Sequence, residues 1–504
     1  MSAKQPPIFK PPVYLFKKLG CYLAISTVSG DFYDLSPSAY AALEQWNNKL
    51  ARCKTRPSQR IVRKLTKKYH IPQNIVDLFP LPSRRLQFKE TPVSRSITDI
   101  TLNLTSHCNL RCSYCWNDYG TYSNRTFRKN KTLIPAGFAK NSQMPVEVAR
   151  KAVDILVESS GDDKDLVVDF YGGEPLLNLK TLLATVDYCR QNQKKWGVNF
   201  HFLLATNGTL LTPKVAGVLL KKGVQIAVSI DGPQKIHDRN RPFAGGKGSF
   251  SAITRNLKNM PEGIMKRLVG RATVTPVYPD MSSLYRSLRR LGFERVELFE
   301  SEDACHRLTP QRERFFFSSD RQYRRLCRQY ERLARRYIKD TVSGFLDYRK
   351  TFFNRFFKLM QRLYYHREVT GGCPAAVGQF AVDIAGGIYP CTSFLGLEEF
   401  RLGNINNGLE AEKLRLFLKT VNKRFQHCRE CSLFSLCRTT GSCLNINYYF
   451  NRDPAVPYQK SCELFREKVE LAIATLSILS KKIPERLEEL FGFDPVGRRG
   501  NKLY

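Results

Sequence analysis

From Ile97 to about Glu300 the chain alternates short apolar runs with longer amphipathic stretches. The runs Ile100–Asn103, Leu166–Tyr171, Phe200–Ala205, Gln225–Ile230, Arg271–Thr275 and Arg295–Phe299 predict strands. Helical spacing lies between them, near 146–160, 179–196, 212–222, 250–259 and 281–291. Successive strand–helix units of this kind predict an α/β fold with a parallel sheet, open or curled into a partial barrel. Its chemistry would sit at the C-terminal strand ends. Residues 116–143 are polar and without period, and predict a long loop over that same face.

Before this core, Cys21–Ser26 and Asp31–Asp34 alternate as two short strands about a turn at Ser29–Gly30. Ser36 can cap a helix with Pro37 first and Leu43 and Trp46 inward, and a second helix fits Arg60–Tyr69. Strands followed by helices in so short a stretch suggest a winged-helix-like unit, with Thr91–Arg95 as a linker. After the core, residues 311–369 form a helical, basic and aromatic connector in which Phe315–Phe317, Phe352–Phe353 and Phe356–Phe357 are packing stripes. From Gly371 to Phe465 the chain is loop-rich and dense in cysteine, with a strand–turn–strand at Gln379–Tyr389. A helix over 463–480 and a polar tail end it. The expected division is therefore 1–90, 95–300, 301–369, 370–465 and 466–504.

Composition narrows the class. With 504 residues and 42% hydrophobic residues the chain is globular, neither disordered nor collagenous, and long enough for about three domains. No window reaches the roughly 18–20 apolar residues of a membrane span, and the N-terminus has no apolar signal region. A cytoplasmic location without membrane contact is expected. The net charge of +36 is densest in 311–369, where 16 Lys/Arg face 6 Asp/Glu. That excess is either a solvated surface or an attraction for an acidic peptide or nucleic acid. No nucleic-acid motif accompanies it, so nucleic acid is the less favoured partner.

Fifteen cysteines are many for a reducing compartment, and ten of them fall in three groups. Clustered thiols there are metal or cluster ligands rather than disulfides. The first group, Cys108, Cys112 and Cys115, follows the first core strand with spacing C-x3-C-x2-C. Three thiolates on one loop leave one iron of a four-iron cubane open to a substrate. Structural zinc wants four ligands, usually from C-x2-C pairs, and no fourth follows at such spacing.

With Tyr114 before its last cysteine, this motif resembles that of the radical S-adenosylmethionine (SAM) superfamily over most of residues 97–300. The resemblance implies a partial (β/α)6 TIM-like barrel and a [4Fe-4S] cluster whose open iron chelates SAM. Reductive cleavage then gives a 5′-deoxyadenosyl radical that abstracts a substrate hydrogen. Further motifs match in order: Gly172-Gly173-Glu174-Pro175 after the second strand, Thr206-Asn207 in the third strand-end motif, and Ser229-Ile230-Asp231 after the fourth, followed by Arg241. By resemblance, the glycines let the backbone approach the ligand and Glu174 accepts from the methionine ammonium. Ser229 reaches the ribose, Arg241 the carboxylate, and Tyr114 packs near the adenine. Thr206, Asn207 and Asp231 complete the expected cofactor contacts.

The remaining cysteines resemble a SPASM domain, the cysteine-rich domain of peptide- and protein-modifying radical SAM enzymes. Cys373, Gly386 and Cys391 fit its first part. Cys428, Cys431, Cys437, Cys443 and Cys462 fit its second, except that five residues separate Cys437 from Cys443 where the family has three. By resemblance Cys428, Cys431, Cys437 and Cys462 hold one auxiliary [4Fe-4S] cluster, and Cys373, Cys391 and Cys443 hold another that lacks a fourth protein thiolate.

Within that group, residues 372–405 look like those of maturases that install thioether links in ribosomal peptides, and of quinohemoprotein amine dehydrogenase maturation enzymes. Residues 14–70 are similar to the leader-binding module of such maturases. The resemblance implies a peptide or protein substrate, for which an acidic leader would suit the basic surface, and a flavodoxin- or ferredoxin-type electron donor. The expected product is a thioether or other side-chain cross-link. Sulfatase-maturating oxidation of a protein Cys or Ser is the alternative, and those enzymes carry an Asp where this chain has Thr392. A basic iron–sulfur or zinc protein acting on nucleic acid is the competing class.

Overall fold

The computed structural model describes residues 13–71, 96–115, 142–301, 315–344, 355–365, 373–428, 431–437 and 443–491, apart from 28, 30, 53–56, 58, 279 and 318. The expected linker at Thr91–Arg95 and nearly all of the expected loop at 116–143 lie outside them.

The N-terminal unit is an antiparallel three-stranded sheet, β1 (Val13–Lys18), β2 (Cys21–Ser26) and β3 (Phe32–Leu35), in the order β1-β2-β3. Two helices follow, α1 (Pro37–Ala51) and α2 (Gln59–Lys68). Ser36 caps α1 by accepting from Ala39 N at 3.2 Å, and Tyr40, Leu43, Trp46 and Leu50 recur at helical spacing on its buried face. The sequence reading lacked β1, whose Val-Tyr-Leu-Phe-Lys-Lys run keeps no strict polar alternation because parts of both its faces are covered.

The core contains six parallel strands, β4 (Asp99–Asn103), β5 (Asp165–Tyr171), β6 (Asn199–Thr206), β7 (Val224–Ser229), β8 (Val269–Val274) and β9 (Arg295–Glu300), paired in that order. Between them run α3 (Val146–Ser159), α4 (Leu179–Trp196), α5 (Pro213–Lys221), α6 (Gln234–Asn240), α7 (Phe250–Lys258) and α8 (Met281–Arg290). This is the partial barrel, a mixed α/β fold with its strand ends on one face. Helix α6 went unpredicted because its seven residues offer too few turns for an apolar period.

Toward the C-terminus come α9 (Asp320–Val342) and α10 (Arg355–Tyr364), then β10 (Gln379–Val382), β11 (Gly387–Tyr389), β12 (Gly403–Asn404) and β13 (Gly408–Leu409). Helices α11 (Ala411–Cys428), α12 (Leu444–Asn451) and α13 (Gln459–Lys482) complete the described chain. Two of these helices, α11 and α12, fall where a loop-rich segment was expected.

Strand β10 pairs in parallel with β4, Gln379 opposite Asp99, so the C-terminal strands extend the barrel sheet into one of ten strands. Helix α13 ties the ends together. Its Glu467 meets Lys18 at 2.5 Å and its Glu470 accepts from Tyr14 Oη at 2.5 Å. Its buried Lys468 pairs with Glu300 at the end of β9, which also accepts from Tyr330 Oη. Among the described residues no helix is long and apolar enough to cross a membrane.

Candidate active site

The cysteine loop leaves β4 and is clamped against the next strand end. Gly173 N donates to Thr105 O at 2.7 Å, and Glu174 N to His107 O at 2.9 Å. A Cβ on Gly172, whose φ is +139°, would stand 2.7 Å from Thr105 O. One on Gly173 would stand 2.5 Å from the His107 carbonyl carbon and 2.9 Å from Cys108 N. What the two glycines approach within the chain is therefore the backbone of the cysteine loop itself. On its other side the loop pairs with the end of α6 and the residues just after it, Ser113 N donating to Asn240 O and Arg111 N to Pro242 O, both at 2.8 Å.

Cys108, Cys112 and Cys115 are half-buried and unbridged. Burial pushes the Cys108 thiol well up, and the neighbouring Cys112 and Cys115 add to that. Burial pushes Cys112 up to about 12, against the opposing charge of Arg241. Leu110 N donates to Cys108 Sγ at 3.4 Å. Three thiols that oppose one another's ionisation fit an iron–sulfur cluster, whose irons would supply the positive charge that thiolates need there.

Glu174 is buried and saturated. Its Oε1 accepts from Leu176 N at 3.1 Å and Thr206 Oγ1 at 2.7 Å, and its Oε2 from Asn207 N at 2.7 Å. Burial raises its pKa while these bonds pull the other way. Asn207 in turn donates to Asn109 Oδ1 at 2.8 Å and lies 3.9 Å from Cys108 Sγ. Thr206 and Asn207 thus tie the third strand end to the cysteine loop through Glu174 and Asn109.

Asp231 is the second hub. It accepts from Tyr114 Oη at 2.5 Å, Asn240 Nδ2 at 3.1 Å and Thr273 N at 3.1 Å. Its own N–H donates to His237 Nδ1 at 3.1 Å. Arg241 lies 3.4 Å from Asp231 Oδ1 and donates through Nε to Tyr114 Oη at 2.6 Å. Burial of the Tyr114 phenol raises its pKa, and Phe315 and Phe316 pack against the ring. His237 is held neutral, its pKa lowered by burial to about 4, and its Nε2 lies 2.9 Å from Ser249 Oγ. Ser229 ends β7 directly opposite Arg271 on β8.

Sequence reasoning missed Asn109, His237, Asn240, Ser249 and Thr273. The run His237-Asp238-Arg239-Asn240 carried the signal for two of them. Both are polar and lie within four residues of Arg241, and the structure buries both fully, as members of one network.

Six of the seven C-terminal thiols influence one another in two sets. Cys391, raised by burial, also feels Cys373 and Cys443. Cys462, raised by burial to about 11, feels Cys428 and Cys431. Cys373, Cys108 and Cys115 all pack against one apolar cluster that contains Cys391, Phe394 and Leu444. The thiol sets of barrel and C-terminal region therefore share a common wall. Their donors suit further iron–sulfur clusters.

The family model of the radical SAM superfamily matches residues 102–282. A cysteine-type anaerobic sulfatase-maturating enzyme of Clostridium perfringens is 24% identical over 401 residues, covering 75% of this chain and 97% of that protein. A radical SAM cyclopropyl synthase of Paramaledivibacter caminithermalis is 28% identical over 181 residues, 36% of this chain and 35% of that protein. The solved structure of native anSMEcpe with bound AdoMet and Cp18Cys peptide superposes with a TM-score of 0.61 at 22% identity, covering 77% of this chain and all of that one.

Proposed function

The chain is a radical SAM enzyme, and from that premise we propose that it oxidatively modifies a side chain of a peptide or protein substrate. The observation that carries the reading is the shared wall: the loop thiols Cys108 and Cys115 and the distal thiols Cys373 and Cys391 border one apolar cluster. A site that needs a hydrogen atom removed and an electron collected afterwards wants its two redox centres adjoining in this way.

Cys108, Cys112 and Cys115 would hold three irons of a [4Fe-4S] cluster. When bound, that cluster and SAM supply a 5′-deoxyadenosyl radical that removes a substrate hydrogen atom. The chain's own residues prepare the place. The Leu110 amide and the Asn207 side chain point at Cys108 Sγ and stabilise negative charge there. Asp231 and Tyr114 fix Arg241 beside Cys112, where its guanidinium suits a carboxylate. Phe315 and Phe316 back the Tyr114 ring and keep water from that side. Cys373, Cys391 and Cys443, and separately Cys428, Cys431, Cys437 and Cys462, would hold the auxiliary clusters.

Two products are chemically open to such a site. The full-length match to a sulfatase-maturating relative supports oxidation of a Cys or Ser, while Thr392 beside Cys391, where those enzymes carry an acid, favours a thioether or other cross-link. Co-expression with a candidate cysteine-containing precursor separates them by mass. A cross-link removes two hydrogens and keeps sulfur, whereas oxidation of Cys to an aldehyde loses sulfur and gives a hydrazide-trappable product. Cys108→Ala must abolish 5′-deoxyadenosine. Persistent formation in that variant under reducing anaerobic conditions contradicts the proposal.

A further inference from the structure

The register of the barrel strands places an unusual set of charges on the sheet face opposite the helices. Asp169 lies opposite Thr101 on one side and Leu203 on the other, and Leu203 opposite Gln225. Two and four residues along β7 from Gln225 come Ala227 and Ser229, and Ser229 lies opposite Arg271, which lies opposite Glu297. Side chains two apart share a face, so Asp169, Ser229, Arg271 and Glu297 all line the barrel interior. Their neighbours Val168, Phe170, Val228 and Ala272 are buried in the helix-facing core.

Arg271 is already matched. It donates to Glu297 Oε2 through Nε at 2.9 Å and through Nη2 at 2.8 Å, and its guanidinium lies 5.1 Å from the Phe299 ring centroid. Asp169 is thus a second acid facing one base. The other carboxylates of the site are committed: Glu174 to three donors, Asp231 to Tyr114, Asn240, Thr273 and Arg241, and Asp99 to Thr98 Oγ1 at 2.7 Å. Asp169 accepts no hydrogen bond from any described residue and stays half-buried, open to the lumen. A half-buried carboxyl that no donor satisfies adds nothing obvious to the fold, because burying a polar group without a hydrogen bond is costly.

We propose that Asp169 is the proton acceptor of the oxidation, receiving the proton released as the substrate's new bond forms in the barrel lumen. This rests on the reading of the chain as an oxidative maturase, and it holds for either product. The adenosyl radical takes one hydrogen atom from a substrate C–H bond. Bond formation at that carbon by an S–H or O–H group then releases one proton and one electron. An oxidised iron–sulfur cluster held by the C-terminal thiols would accept the electron, and the proton goes to the Asp169 carboxylate and on to water through the lumen. The Asp169 pKa stands raised to about 7, driven up by burial and slightly by Asp99 and held back by the charge of Arg271. Glu297 on the adjacent strand β9 and Tyr171 at the end of β5 also act on Arg271, and the acid is poised to bind and release a proton near neutrality.

The test uses anaerobically reconstituted wild type, Asp169→Asn and Asp169→Glu, with Cp18Cys peptide as probe. Infrared difference titration of the substrate-free proteins should show one carboxyl titrating near neutrality in wild type and absent from Asp169→Asn. A carboxylate at 169 that stays ionised down to pH 5 overturns the proposal whatever the substrate. With the peptide, the ratio of modified peptide to 5′-deoxyadenosine should fall about 100-fold in Asp169→Asn and recover in Asp169→Glu. A ratio within about threefold of wild type in Asp169→Asn also overturns it. If wild type cleaves SAM but leaves this peptide unmodified, the substrate assignment is at fault, and the infrared titration alone decides the role of Asp169.

Discussion

Gly173→Ala tests whether the site is built by backbone contact. The new methyl would meet the His107 carbonyl carbon at 2.5 Å and Cys108 N at 2.9 Å. Apolar contacts settle near 3.5–4.0 Å, so the His107–Cys108 segment must retreat by roughly 1 Å. The retreat strains or breaks the Glu174 N–H bond to His107 O at 2.9 Å and moves the first thiol of the triad. Overpacking of this kind costs about 1–3 kcal/mol of stability. A misplacement of about 1 Å at a reacting centre costs on the order of 100-fold in rate. The assay compares iron and sulfide content, visible absorbance and 5′-deoxyadenosine formation. Gly197→Ala serves as the control. Gly197 also has a positive φ, +64°, but no atom lies within 4 Å of its would-be Cβ, so it loses stability without disturbing the cluster. A Gly173→Ala protein with wild-type iron content and SAM cleavage would refute the reasoning.

Lys468→Met takes the ammonium away from the buried Glu300 carboxylate, which also accepts from Tyr330 Oη, and should cost about 3–5 kcal/mol in denaturant unfolding. Adding Glu300→Gln should recover most of that loss. Asp231→Ala removes the acceptor that fixes Arg241 and Tyr114. It should weaken SAM binding roughly 10- to 100-fold by equilibrium dialysis, the worth of a hydrogen bond to a charged group. His237 has a lowered folded-state pKa of about 4. The stability it permits is complete above about pH 6.5, its unfolded value, and falls away as the pH drops toward 4. Over that range wild type should lose on the order of 3 kcal/mol more than His237→Gln, measured by urea midpoints across pH.

What the sequence disclosed followed from the range of the interactions involved. The barrel strands and their terminal motifs are local, since each apolar run, its glycine turn and its polar cap lie within a few residues. The cysteine groups announced themselves by spacing alone. Helix α11 went unseen although Leu414, Phe417, Leu418 and Val421 repeat with helical period, because cysteine density made the segment look irregular. The hubs at Glu174 and Asp231 were recognised as residues but not as hubs, since their partners arrive from other strand ends. Asp169 carried no signal at all. An acid in an apolar strand marks a lumen only once the register shows which face it shares.

The seam between β10 and β4 sets an order of events in the life of the chain. Thr98 Oγ1 reaches Gly378 O across 280 residues of sequence, so the first barrel strand keeps one edge unpaired until three-quarters of the polypeptide has been made. A parallel pairing of such long range closes late and slowly. Until it closes, the thiol loop at the end of β4 stands beside an unfinished wall, accessible to whatever delivers iron and sulfide. Chain termination before residue 379 therefore forfeits more than the auxiliary thiols: it leaves the founding strand as an open edge, and the product would aggregate.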